Sequence, residues 1–175
     1  HFEVLPGQTI ELTDGIYTRT HLVTDISVSE VDVLNNTVRG NAEPGSILRI
    51  NDGDNFDYDY FTEQKDILTD SLSQWEAKFD IELTPGKRGS VYHFDSKRNA
   101  TVAHWFVPNP KIGVWPLEDG ILAFQWHPNT TVSLSVNEIV WTGVSDDFGF
   151  IRFALSPFDV RPGQIIEISD GIETK

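Results

Sequence analysis

The stretch Asp52-Gly53-Asp54-Asn55-Phe56-Asp57-Tyr58-Asp59 holds the densest set of hard oxygen ligands in the chain. Calcium needs several such oxygens on a flexible loop, and Asp52, Asp54, Asp57 and Asp59 could supply them. Counted from Asp52, Glu63 falls where a twelve-residue EF-hand loop carries its last ligand. The rest of that pattern fails. Phe56 takes a ligand position, Asp57 stands where glycine is required, and no helical periodicity flanks the loop. A solvated acidic loop is the plainer alternative, and calcium is the cofactor this stretch would take if it takes one. The second acidic spot, Ser145-Asp146-Asp147 ahead of Phe148-Gly149, reads as a turn rather than a metal site.

The same loop interleaves its acids with Phe56, Tyr58, Tyr60 and Phe61. Rings that stack on a sugar, beside carboxylates that accept its hydroxyl protons, make a carbohydrate platform. Tyr58, Tyr60 and the more distant Trp141 are the candidate contacts. The competing role is packing, because apolar side chains at a period of two usually cover a core. Trp75 and Trp105 lie in strand patterns and are expected inside. Trp115 and Trp126 are expected near the junction of two domains.

His1 could chelate copper through its amine and ring, with His21, His93, His104 or His127 completing the site. The repeat described below opposes this, since the residue matching His1 is Pro157. Asn35, Asn99 and Asn129 each begin an Asn-x-Ser/Thr sequon at an expected turn, where a glycan would face solvent. No Gly-x-Ser-x-Gly elbow, phosphate loop or zinc helix motif occurs. No two carboxylates are marked as facing each other across a cleft, which glycoside hydrolysis requires. The chain is therefore not expected to be an enzyme.

The elements around these residues read as strands. Ile10 and Leu12 alternate with polar neighbours between Pro6-Gly7 and Asp14-Gly15 turn signals, and Thr20–Val23 follows as the next strand. Ile26, Val28, Val31 and Val33 alternate with polar neighbours, as in a half-buried strand. Val38–Ile50 is strand, Pro44-Gly45 turn, strand. Trp75–Ile81, a Pro85-Gly86 turn, Ser90–Phe94 and Val102–Val107 complete the block. Pro108-Asn109-Pro110 cannot sit in a central strand and reads as a linker. Beyond it the plan recurs weakly. His127–Val136 mirrors the block around Pro44-Gly45, Phe148–Phe153 the strand around Trp75, and Arg161-Pro162-Gly163 the turn at Thr84-Pro85-Gly86.

The two ends of the chain repeat each other. Phe2–Arg19 and Phe158–Lys175 align without a gap, most pairs are identical, and Glu3/Asp159, Leu12/Ile168, Thr13/Ser169 and Arg19/Lys175 are conservative. Such self-similarity marks one period of a tandem array plus an overlap. Residues 1–23 are then strands of a preceding domain, or strands donated to another copy. Residues 24–108 form one sandwich. Residues 109–175 form a second, which stops before the run that would match Thr20–Val23 and so lacks its last strand.

The spacing Val38-x-Gly40-x-Ala42-x-Pro44-Gly45, Trp75-x-x-x-Phe79, Pro85-Gly86 resembles that of bacterial immunoglobulin-like repeat domains. The unit from Phe158-Asp159-Val160-x-Pro162-Gly163-Gln164 to Asp170-Gly171 resembles tandem repeats of very large secreted and cell-surface proteins. The resemblance implies all-β immunoglobulin-like sandwiches acting as extracellular spacers, stalks, fibres or adhesive modules, and it carries no catalytic residues.

Composition agrees with that expectation. The chain has 175 residues and no Cys, so a disulfide framework and a thiolate site are excluded. Its net charge of -14 repels nucleic acid and anionic membranes, and no run is apolar enough to span a bilayer. The expected function is that of a structural extracellular or cell-surface repeat module of a fibre, stalk, sheath or adhesin. Its expected partners are neighbouring copies, with head-to-tail strand complementation as one mode of assembly. The alternative is a carbohydrate-binding module of a secreted polysaccharide-degrading protein, with polysaccharide as partner.

Overall fold

A computed structural model describes residues 3–53, 62–118, 120–155 and 157–175. Among these residues the only helical element is a 3-10 turn at Pro116–Glu118; the fold is all-β, and every strand pairing is antiparallel. The chain divides into two compact units, residues 1–107 and residues 108–175.

The first unit opens with a hairpin, β1 (Thr9–Thr13) and β2 (Thr18–Leu22), which forms a two-stranded sheet of its own. Seven strands follow: β3 (Ile26–Asp32), β4 (Thr37–Ala42), β5 (Ile47–Asn51), β6 (Gln64–Leu68), β7 (Gln74–Lys78), β8 (Arg88–Phe94) and β9 (Ala100–Phe106). They make two sheets, β3-β4-β7 and β6-β5-β8-β9. Alternate residues of both sheets point inward to one core, among them Val38, Leu48, Ile50, Trp75, Ala77, Val91 and Trp105. Period-two side chains from two facing sheets are what a sandwich buries.

Two glycines are needed for that core. A Cβ on Gly40 would lie 1.9 Å from the Ser27 carbonyl oxygen and 2.4 Å from the Trp75 ring. A Cβ on Gly89 would meet the Asn51 carbonyl at 1.9 Å and the Trp105 ring at 2.6 Å. Each tryptophan therefore lies over a glycine, which explains the spacing of Gly40 and Trp75 in the sequence.

The inward pattern in β3 skips from Val28 to Val31 because the register with β4 shifts between Val28 and Glu30. A bulge inserts the extra residue. The expected inward Val33 is instead exposed. Asp32 ends the strand before it: its Oδ1 accepts the Leu34 and Asn35 amides, both at 3.1 Å, and turns the chain.

The second unit contains β10 (Lys111–Trp115), β11 (Gly120–Phe124), β12 (Thr131–Val136), β13 (Ile139–Val144), β14 (Ile151–Ala154) and β15 (Ile166–Ser169). Its sheets are β10-β11-β14 and β13-β12-β15. Counted from β3 in the first unit and from β10 in the second, strands 1-2-5 form one sheet in both. Strands 4-3-6-7 form the other sheet in the first unit, and 4-3-6 in the second. Trp126, fully enclosed, sits in the second core with Leu134, Val136, Phe153, Val160 and Ile168, and its Nε1 donates to the Lys111 carbonyl at 3.1 Å. The sequence reading expects Trp126 near a domain junction; the ring lies in the second core, bonded to Lys111 just after the Pro108-Asn109-Pro110 linker.

Candidate functional site

The acidic loop is closed at its neck by Asp52. Its side chain is enclosed; Oδ1 accepts the Thr62 and Glu63 amides at 2.7 Å each, and Oδ2 lies 3.4 Å from Lys87 Nζ. Glu63, the residue at the last EF-hand position, is engaged by Asp80 and Lys65. Its Oε2 accepts the Asp80 amide at 2.8 Å, and its Oε1 lies 2.6 Å from Lys65 Nζ. That contact with Glu63 holds the Lys65 amine above its ordinary range against the opposing effect of burial. Asp54, Asp57, Asp59, Tyr58 and Tyr60 lie outside the described residues, as do His1, Phe56 and Phe61. Among the described residues no three acidic or histidine side chains converge on one point. Trp141 is half-buried at the rim of the second core, edge-on to Phe158 with centroids 5.2 Å apart.

The histidines other than His1 are engaged. His93 Nδ1 lies 3.0 Å from Thr24 Oγ1, and His104 Nδ1 lies 3.1 Å from Ser90 Oγ. His21 and His127 each meet an aspartate, described below. The sequons differ in accessibility. Asn35 and Asn129 are exposed, whereas Asn99 is half-buried and its Nδ2 donates to Asp95 Oδ2 at 2.7 Å and to the Thr20 carbonyl at 3.2 Å. Asp146 builds the expected turn: its Oδ1 accepts the Phe148 and Phe150 amides at 2.9 Å.

The repeated segment is where sequence and geometry coincide. At its start, Gln8 Oε1 accepts the Leu5 amide at 2.8 Å, and Gln164 Oε1 accepts the Arg161 amide at 2.6 Å. Gly7, Gly86 and Gly163, each after a proline and ahead of β1, β8 and β15 in turn, have φ of 84°, 89° and 90°. This left-handed region favours glycine. At the far end, Asp14 Oδ1 accepts the Ile16 and Tyr17 amides at 2.9 and 2.7 Å. Asp170 Oδ1 accepts those of Ile172 and Glu173 at 2.9 and 2.8 Å. Thr13 pairs with Thr18 in β1–β2, and Ser169 bridges to Thr174 in the same way. Both copies thus start and finish the same hairpin.

Their surroundings differ. β15 pairs with β12, Ile168 is 0% exposed, and Val160 is 4% exposed in the second core. The matching Leu12 and Val4 are 74% and 52% exposed. Asp170 has its side chain enclosed, with Oδ2 2.6 Å from His127 Nδ1. Burial works to raise its pKa, but the Glu173 amide, His127 and the Ile172 amide outweigh it and hold the carboxyl below its ordinary range. The Tyr17 and Ile16 amides lower Asp14 too, yet it meets no histidine among the described residues.

The turn that joins β8 to β9 is also built on an aspartate, and it carries an aspartate–histidine pair too. Asp95 Oδ1 accepts the Lys97 and Asn99 amides, and Oδ2 lies 3.1 Å from Nδ1 of His21. His21 Nε2 reaches Thr101 Oγ1 at 2.9 Å, and Thr101 Oγ1 accepts the Thr24 amide. The Asn99 side chain, opposed by burial and helped by His21, holds Asp95 well below the usual carboxylate range. This cluster ties the end of β2 to β8 and β9. It could not be read from sequence, since its members are far apart in the chain and each looks like an ordinary turn or strand residue.

No known protein family matches this chain, and no curated protein does. Among solved structures, a biofilm-associated protein (BSP domain) is similar at 15% identity with a TM-score of 0.35, covering 85% of this chain and 27% of that one. A tetra-tandem repeat from the extending region of a large adhesion protein is similar at 13% identity with a TM-score of 0.33, covering 86% and 47%. The chain thus spans less than half the length of either. Likenesses of this strength assign neither an activity nor a partner.

Proposed function

We propose that this chain is a segment of a tandem array of immunoglobulin-like sandwiches in a large extracellular or cell-surface protein, where it acts as a structural repeat module. One observation carries the reading: the two ends of the chain repeat in sequence and build the same hairpin, in a chain whose two units share one strand plan. The second strand pairs with the fifth, and the third with the sixth, as strands B–E and C–F do in immunoglobulin sandwiches. Self-similar units whose neighbours contact only neighbours propagate length rather than chemistry. An acidic, cysteine-free surface keeps such an array soluble without an oxidative dependence. No helix among the described residues is long and apolar enough to cross a membrane.

The test is the intact mass of the native protein, detected with an antibody against residues 24–107, together with its release from whole cells by an added protease. A protein many times larger than 19.7 kDa, cleaved from intact cells, is expected. A mature protein near that mass, or one protected inside cells, would overturn the reading.

A further inference from the structure

The exposed β1–β2 hairpin has the geometry of strands six and seven of a sandwich, without the other five. Among the described residues its β1 edge is open. Asp14 and Tyr17 are bonded across the hairpin, as are Gln8 and Val23, so even-numbered residues of β1 direct their backbone groups at β2. Thr9, Glu11 and Thr13 direct theirs away, to the side on which β1 has no paired strand among the described residues. In the other copy this side is filled. Ile168 bonds to Lys175 in both directions, so Glu167 and Ser169 face β12, where they pair with Ser135 and Ser133.

We propose that β1–β2 completes a sandwich formed by a second copy of residues 108–157, placed immediately before this segment on the same polypeptide. The occupant follows from the repeat itself, because a segment of nearly the same sequence is seen in its partnered state. Leu12 takes the place of Ile168 opposite the second copy's Leu134, and Ile10 that of Ile166 opposite its Val136. Val4 enters the core as Val160 does. Asp14 Oδ2, which has no partner among the described residues, takes the second copy's His127, as Asp170 does. Asp170, the counterpart of Asp14 in the repeat, already holds such a pair with His127. The substitutions between the copies respect this fit. Leu12/Ile168 and Thr13/Ser169 keep character on the inward and turn positions, while Leu5/Arg161 and Tyr17/Glu173 change character at exposed ones.

β2 then becomes the seventh strand of that sandwich, and His21 at its end lies on Asp95 of the following unit. The proposal rests on the tandem reading above and fails separately from it. Native mass tests whether the array exists, and an extended chain tests how its joints are built.

The experiment compares the full chain with a longer one in which residues 108–157 are placed directly before Phe2. Amide exchange by NMR reads Glu11 and Thr13 against Glu167 and Ser169. In the extended chain Glu11 and Thr13 are expected to slow at least a hundredfold, to the level of their counterparts, in a species that sediments as a monomer. Leu12→Asp in the extended chain should return Glu11 and Thr13 to fast exchange and leave Glu167 and Ser169 slow, whereas Leu12→Ile should keep all four slow. Fast exchange at Glu11 and Thr13 in the extended chain would overturn the proposal. So would protection that survives Leu12→Asp, or protection that appears only in a concentration-dependent dimer.

Discussion

β1 and β15 have nearly the same sequence, the same entry turn and the same exit turn, yet one is exposed and the other is core. Everything local is shared: the proline–glycine entry, the glutamine that caps it, and the aspartate that binds two amides. What differs is the presence of β12 alongside. The hairpin is therefore specified by near-neighbour chemistry, and burial is added by whatever sheet lies next to it. That separation suits a repeat. A module whose ends fold alike before they are covered can be joined to the next without a change of sequence.

The largest test of this contrast is a matched pair of truncations. Ile168→Ala removes a fully buried side chain opposite Leu134, and should destabilise residues 108–175 by about 2–5 kcal/mol in urea unfolding. Leu12→Ala in the same chain should change stability by less than about 0.5 kcal/mol, because Leu12 is exposed. Equal costs at the two positions would show that β1 is covered within the single chain.

The paired aspartates sharpen the contrast by charge. Asp170→Asn removes the charged partner of His127 from an enclosed site, and should cost about 1–3 kcal/mol at neutral pH. Asp14→Asn, in solvent, should have no measurable effect on the unfolding of either unit. The pH dependence has a definite sign. Asp170 has a carboxyl held below its ordinary value of 3.8, so its contribution is fully present above about pH 4. It is lost as pH falls through the lower folded value. Residues 108–175 should therefore weaken below about pH 4 by tryptophan fluorescence of Trp126, and Asp170→Asn should flatten that limb.

Much of this is legible in the sequence. Proline–glycine turns, alternation and the terminal repeat marked the strands around β4, β5, β8, β9 and β12, and the parallel between Pro85-Gly86 and Pro162-Gly163 holds in backbone angle. Periodicity alone puts Trp75 and Trp105 inside, and they are buried. Less was readable where a strand lacks clean alternation or a turn is set from afar. β13 runs Ile139-Val140-Trp141 with little burial, so its pattern points to no single face. Asp52 looked like the first ligand of an acidic loop; its two bonded amides lie ten and eleven residues on, which spacing does not reveal. The repeat told which residues are equivalent, but not that their environments differ, because burial depends on a strand that the local sequence does not contain.

The smallest expected effect concerns the joint rather than either strand. His21 reaches Asp95 and Thr101, and Asn99 reaches the Thr20 carbonyl, so this cluster anchors the hairpin to β8 and β9. His21→Ala removes a largely buried hydrogen bond to a carboxylate, of a kind that contributes about 1 kcal/mol. It should leave the unfolding of the seven-strand sandwich unchanged, while the amides of β2 exchange a few-fold faster. The local hairpin chemistry persists without the anchor, so β2 should loosen as a unit and not unravel residue by residue. A fall in global stability of the first unit after His21→Ala would mean that the hairpin is part of that sandwich's cooperative core, and the contrast between a self-sufficient hairpin and its borrowed surroundings would be lost.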